Sequence, residues 1–254
     1  MSAAPRHGLA RWLRAYRDMV VFEVASQRDW LPLMGVIQLL LGAGMAVIYG
    51  FYVPALPPRI AAFITTGTPA LALMPIGFVM LPGLIANRRL AGSYDWVRSL
   101  PVPRNATIAA TATVFTLLVL PGAALSLVLA ALRYGVTLHV SPLIVPAVLL
   151  TSLVTTGVGA ALGHGIRNPL LTSVIGNVLI FVVLLFTPVA FPPAQFPAWL
   201  VHVHEALPFY NMAVVLRAAL SSGLVSDVGR SYLVLGAWTI ASLALAWAVV
   251  SRRG

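Results

Sequence analysis

Six long apolar stretches set the limits on what this chain can fold into. They run approximately from Leu31 to Val53, Ile60 to Ala86, Ala106 to Leu132, Pro142 to Ile166, Pro169 to Ala190 and Tyr232 to Val250, and none contains an Asp, Glu or Arg. A helix needs about 20 apolar residues to cross roughly 30 Å of hydrocarbon, and each stretch is of that order. The apolar residues run on without the alternation of a barrel strand, and a helix satisfies its own backbone polar groups in lipid. The sequence therefore predicts an all-α membrane protein with six transmembrane helices. Its composition agrees, since 60% of the 254 residues are hydrophobic and 9% are charged, far from the usage of soluble domains.

A cleavable signal has an apolar core of about 7 to 15 residues, shorter than the first stretch, which is expected to remain as an anchor. No cysteine is present, so disulfides and thiolate metal sites are excluded. Arginine placement gives the orientation, because cytoplasmic flanks carry the excess positive charge. With both termini inside, Arg6, Arg11, Arg14, Arg17, Arg28, Arg88, Arg89, Arg98, Arg104, Arg167, Arg252 and Arg253 fall on the cytoplasmic side. Only Arg59, Arg133, Arg217 and Arg230 fall outside. The net charge of +10 then reads as topology and attraction to anionic lipid, and no nucleic-acid partner is expected.

Every basic residue is an arginine. A P-loop requires a lysine to reach the β and γ phosphates, so this chain carries none. Ion-driven pumps place acids or histidines within their spans, whereas Asp18, Glu23, Asp29, Asp95, Glu205 and Asp227 all lie in predicted tails or loops. His164 alone approaches a span, near a cytoplasmic end. A self-powered pump is hard to build from these residues.

The spans do contain hydroxyls and amides. Most are expected to bond to backbone carbonyls or neighbouring helices. Gln38, Thr155 and Asn177 are the candidates for a weakly polar substrate path. In "GVGAALGHGI", Gly157, Gly159, Gly163 and Gly165 include a G-x-x-x-G pair that permits close helix approach.

Before the first span, residues 8–28 form an amphipathic segment. Leu9, Trp12, Leu13, Tyr16 and Val20 share one helical face, with Arg11, Arg14 and Arg17 largely opposite. Such a helix should lie in the interface plane with its aromatics at headgroup depth. Between the second and third spans, residues 88–104 read "RRLAGSYDWVRSLPVPR". Leu90, Tyr94 and Val97 at i, i+4 and i+7 give a short helix one apolar stripe, and Pro101 and Pro103 stop it before the next span.

That segment resembles the cytoplasmic elbow of type-2 ABC exporter permeases, in which glycine, threonine, an apolar residue and glutamate are followed by a "PV-small-R" ending. Gly92, Ser93, Tyr94, Asp95, Pro101, Val102 and Arg104 occupy the matching positions, while Arg88, Arg89, Leu90 and Ala91 depart from a run that often mixes arginine with glutamate. The resemblance implies a coupling helix that docks on a separate ATP-binding subunit, with Trp96 and Arg98 on the same segment. A second match covers Phe186 to Leu220. Pro188, Phe191, Pro192, Pro197, Trp199, Leu200, Pro208 and Arg217 carry it, and it implies that residues 191–220 form short re-entrant helices in the outer leaflet. Taken together, the resemblance implies a single permease domain in a bacterial cytoplasmic membrane, paired with a second permease subunit as homodimer or heterodimer. It implies no cofactor in this chain, with ATP and Mg in the partner subunit.

Two other classes stand beside this reading. His202, His204 and Glu205 in "HVHE" suggest a membrane-embedded metalloenzyme, although on a helix His202 and His204 point apart and the HExxH spacing is absent. A non-transporting assembly factor or sensor would need no ATPase. For a permease, the lack of intramembrane charge favours hydrophobic or amphipathic cargo such as a drug, natural product or lipid, with a polysaccharide or glycolipid as the alternative.

Overall fold

The computed structural model describes residues 8–30 and 57–252 and, between them, 32–37, 39, 40, 44 and 47. Most of the first expected span, with Gln38, lies outside the described residues. The described residues are helical throughout their regular structure. In chain order they form α1 (Leu9–Gln27), α2 (Pro58–Leu90), α3 (Ser93–Ser99), α4 (Arg104–Tyr134), α5 (Ile144–Gly165), α6 (Pro169–Phe186), α7 (Ala198–Ala206), α8 (Pro208–Leu220) and α9 (Val228–Arg252). Five of these, α2, α4, α5, α6 and α9, are long and apolar enough to cross a membrane, and they coincide with the second to sixth expected spans.

Local chemistry sets the boundaries. α2 starts with Pro58 in its first turn, and α6 starts with Pro169 behind Asn168, whose side chain accepts from the backbone N–H groups of Leu170 and Leu171 at 2.9 and 3.3 Å. Proline suits a first helical turn, where its missing N–H would be unpaired anyway. α6 stops at Phe186, short of the expected Ala190, because Thr187 turns extended ahead of Pro188. The elbow helix also differs from expectation. It begins at Ser93, after a turn in which Gly92 takes a φ of 71°, so Leu90 belongs to the end of α2 and not to the stripe of α3.

α2 is the most enclosed span. Its prolines leave carbonyls without their usual donors: Pro69 cannot serve Thr65 O, which instead accepts from Thr68 Oγ1 at 2.9 Å. Between Pro75 and Pro82 the helix widens into one π turn, Ile76–Met80. Small residues let the neighbours close on this turn. A Cβ on Gly159 of α5 would lie 1.9 Å from Gly77 O, and one on Gly176 of α6 would lie 2.4 Å from Phe78 O. Such approaches exclude any side chain larger than hydrogen and bring backbones into van der Waals contact. The other glycines of the α5 run divide: Gly157 meets Ser242 of α9, Gly163 meets Ile85 and Pro82, and Gly165 meets nothing.

The chain connects these helices at two ends of the bundle. The elbow end holds α3 and the α5–α6 link. The far end holds the α4–α5 link, α7, α8 and the start of α9. There the strand-like residues His139 and Ser141 donate backbone N–H bonds to Leu220 O and Ala219 O, at 3.0 and 2.8 Å. α8 has 13 residues, about 20 Å at 1.5 Å per residue, too short to cross the hydrocarbon. It is nonetheless almost wholly buried, with Met212, Ala213, Val215, Leu216 and Ala219 at 0% exposure, packed among α2, α5 and α9.

Candidate functional site

At the elbow end, several of the polar residues predicted to meet a partner subunit are used within the chain. Arg88 forms a two-pronged pair with Glu23 of α1, donating from Nη1 and Nη2 at 3.0 and 2.7 Å. Glu23 is fully buried and also accepts from Thr111 Oγ1 of α4 at 2.9 Å. Three helices therefore meet on one carboxylate. Arg88 also lies over the Phe22 ring at 5.7 Å. Arg89 reaches back to the end of α5, where it donates to Ile166 O and, at 2.9 Å, to His164 O. A cation there complements the negative end of the helix dipole.

The remaining elbow residues sit on a short lever. Ser93 Oγ donates to Arg88 O at 3.3 Å and helps fix the start of α3. The backbone places Tyr94, Asp95, Trp96 and Arg98 on α3. Trp96 is 55% exposed, one edge of it resting on Phe22 at a ring distance of 5.8 Å. Leu100 leaves the helix extended, and Pro101 to Pro103 lead to Arg104 at the start of α4. Behind the lever a cavity of about 90 Å³ is lined by Arg88, Val97, Leu100, Arg104, Thr107 and Ile108, among others.

α1 lies against this construction. Trp12 Nε1 donates to Asn105 Oδ1 at 3.1 Å and the Tyr16 hydroxyl bonds Thr113 Oγ1 at 2.8 Å, the two rings stacking at 5.4 Å. The aromatics expected at headgroup depth thus face α4. Leu9, Leu13, Val21 and Val24 provide the exposed apolar surface of α1.

At the far end the chemistry is different. Arg217 of α8 is fully buried. Its Nη2 donates to Val189 O at 2.5 Å and Phe63 O at 3.2 Å, and its Nε donates to Thr66 Oγ1 at 3.2 Å. The guanidinium carbon sits 3.4 Å from the centre of the Phe63 ring. Among the described residues no carboxylate pairs with it, and Nη1 has no partner. An arginine keeps its proton under all physiological conditions, so a full charge is held here by carbonyls, a hydroxyl and an aromatic face. Burial of this kind was not read from the sequence. Its signal is a lone charge inside the apolar run "MAVVLRAAL".

The other predicted residues of this region act as helix punctuation. Pro192 precedes a short turn, Pro197 caps α7 and Pro208 opens α8. Trp199 is 68% exposed. The three residues of "HVHE" are not gathered around one point. His202 is bonded through Nδ1 to Ala198 O at 2.6 Å. His204 is buried beside Thr187 Oγ1 at 3.4 Å, and that burial holds its imidazole below the ordinary value, in the neutral form. Glu205 turns to Arg230 at 3.3 Å. Of the expected path residues, Thr155 bonds back to Thr151 O and Ser152 O, both at 3.0 Å, and packs on Gly77. Asn177 is exposed on α6, its amide donating to Ser173 O at 2.9 Å.

Five apolar helices long enough to cross a membrane define a multi-pass membrane protein. Residues 58–248 match the family described as ABC-2 family transporter protein. The match takes in most of the chain, which belongs to that family as an ABC type-2 permease. No curated protein matches the chain.

Proposed function

We propose that this chain is the permease subunit of an ATP-driven exporter that moves a hydrophobic or amphipathic cargo out across a bacterial cytoplasmic membrane. In this reading the elbow end is cytoplasmic, six spans cross the membrane, both termini are inside, and α7 and α8 dip into the outer leaflet. A separate ATP-binding subunit docks on α3 through Trp96 and its neighbours, supplying ATP and Mg. A second permease subunit completes the path, and the exposed Ser173 and Asn177 on α6 favour that face for it, because a polar group facing lipid is costly.

The observation that carries the reading is the locking of the elbow into the bundle. Arg88–Glu23–Thr111 ties α2, α1 and α4 together, and Arg89 ties α2 to α5. A push on α3 therefore moves span ends as a unit instead of bending a loop. Energy from nucleotide reaches a permease only if one conformation is favoured through contacts at this surface. Family membership implies the ATP-binding partner, and the absence of lysine from this sequence supports placing the fuel site there.

The test is co-purification with a co-expressed ATP-binding subunit, followed by hydrolysis in reconstituted vesicles. Tyr94→Ala, Asp95→Arg and Trp96→Ala should each reduce association or cargo-stimulated hydrolysis while membrane insertion stays intact. Unchanged coupling in all three variants overturns the docking assignment.

A further inference from the structure

Arg217 is a full positive charge in the far half of the bundle with nothing of opposite charge beside it. The chain's six acids do not supply a partner. Asp18, Glu23, Asp29 and Asp95 belong to α1, the turn after it and α3; Glu205 is paired with Arg230; Asp227 precedes α9. Carbonyls satisfy donors but bring only partial charge, so in surroundings of low dielectric the guanidinium keeps a strong attraction for an anion. Its Nη1 stands ready without a partner, and the buried hydroxyls of Thr65, Thr151 and Ser152 in the same half are also unpartnered.

The groups that hold Arg217 come from separate segments. Phe63 and Thr66 belong to the start of α2, Val189 to the turn after α6, and the arginine itself to α8. Gly67 makes the arrangement possible, since a Cβ there would lie 2.5 Å from Val189 O and 3.1 Å from Arg217 Nη2. An anion that captured Nη2 would break the ties of α8 to the Phe63 and Val189 carbonyls in one exchange.

The geometry points to Arg217 as the residue that selects cargo by charge at the exit: the phosphate, sulfate or carboxylate of an amphiphile displaces the Phe63 and Val189 carbonyls from the guanidinium, and that exchange parts α8 from α2. This rests on the export reading above and names its cargo class as anionic amphiphiles. A cationic amphiphile meets repulsion from the guanidinium, which is specificity by an unfavourable contact. A neutral one gains nothing from the exchange.

The chain is free of cysteine, so Thr65→Cys provides a single reporter thiol. Thr65 is fully buried and its hydroxyl is unpartnered, so the change removes no hydrogen bond. In phosphatidylcholine nanodiscs, alkylation of that thiol by uncharged iodoacetamide is followed by intact mass. Dodecyl phosphate should raise the rate about tenfold, and neither dodecyltrimethylammonium nor inorganic phosphate should. A second arm replaces part of the phosphatidylcholine with phosphatidylglycerol; acceleration there assigns the anion to bulk lipid as well as to added amphiphile. Arg217→Gln should abolish the dependence on amphiphile charge, Arg217→Lys should retain part of it, and Gly67→Ala should raise the rate with every additive. Equal rates with dodecyl phosphate and dodecyltrimethylammonium in the reporter protein overturn the inference, as does discrimination that survives in Arg217→Gln. No ATPase takes part, so a chain that couples to its ATPase yet shows no charge preference refutes this inference and leaves the export reading standing.

Discussion

The two ends of the bundle handle buried polarity in opposite ways. At the elbow end Arg88 meets Glu23 in a two-pronged pair with Thr111 as third member. At the far end Arg217 meets carbonyls and a ring, and the described residues' four buried side-chain polar atoms without a partner, on Thr65, Thr151, Ser152 and Arg217, all lie in that half. A closed network fixes one arrangement of the helices that share it. A half-satisfied one leaves the alternative arrangement closer in energy. The comparison teaches that the elbow is suited to transmit movement and the far end to undergo it. α2 joins them, with Phe63 and Thr66 at one end, Arg88 at the other and the π turn between.

The largest effect is expected where the closed network is broken. Glu23→Ala leaves the part-buried Arg88 with no counter-charge, and loss of one partner of a buried pair costs about 3–5 kcal/mol, the upper limit for this partly exposed cation. Thermal unfolding in detergent should show this, with α1 becoming the first segment cut by protease. The double replacement Glu23→Leu with Arg88→Met should recover most of the loss, because an apolar pair of similar volume has no desolvation cost. If the single change is silent, the elbow is not locked and the contrast between the ends disappears.

Next in size is the connector. Gly159→Ala places a methyl 1.9 Å from Gly77 O, where backbone and not a flexible side chain has to move. Overpacking of this kind costs about 1–3 kcal/mol. Gly165→Ala, which meets nothing, is the control and should leave unfolding within about 0.5 kcal/mol of the parent. Gly159→Ala should also blunt any effect of elbow variants on the far-end thiol reporter. Independent responses of the two ends would show that α2 does not link them.

Most of the architecture is legible in the sequence because hydrophobic length is a strong signal. Five expected spans correspond to α2, α4, α5, α6 and α9, and Pro101 and Pro103 do bracket the break before α4. Pairings across the fold are not legible. Nothing in the spacing of Arg88 reveals a partner 65 residues earlier, so it reads as a residue for another subunit when its charge is used internally. Periodicity finds the apolar face of α1 but cannot say whether lipid or protein covers it, and Trp12 and Tyr16 turn toward Asn105 and Thr113. Thr155 reads as a path residue because a hydroxyl in a span is conspicuous, whereas its bonds return to its own helix. Arg217 shows the converse: the sequence places it in the apolar run after Pro208, and only the folding of α8 against α2 reveals that no carboxylate among the described residues faces its charge.

The smallest effect tests the seating of α1, on which the rigidity of the elbow depends. Trp12→Phe keeps an aromatic of similar depth preference but removes the indole donor to Asn105, a neutral hydrogen bond worth about 0.5–1.5 kcal/mol. A double-mutant cycle with Asn105→Ala isolates the pair, and a coupling of about 1 kcal/mol is expected. A purely lipid-facing tryptophan predicts no coupling and the same loss in either background. With zero coupling the Trp12 end of α1 would rest on lipid, and the elbow would owe its stiffness to the Tyr16–Thr113 bond and the Glu23 carboxylate.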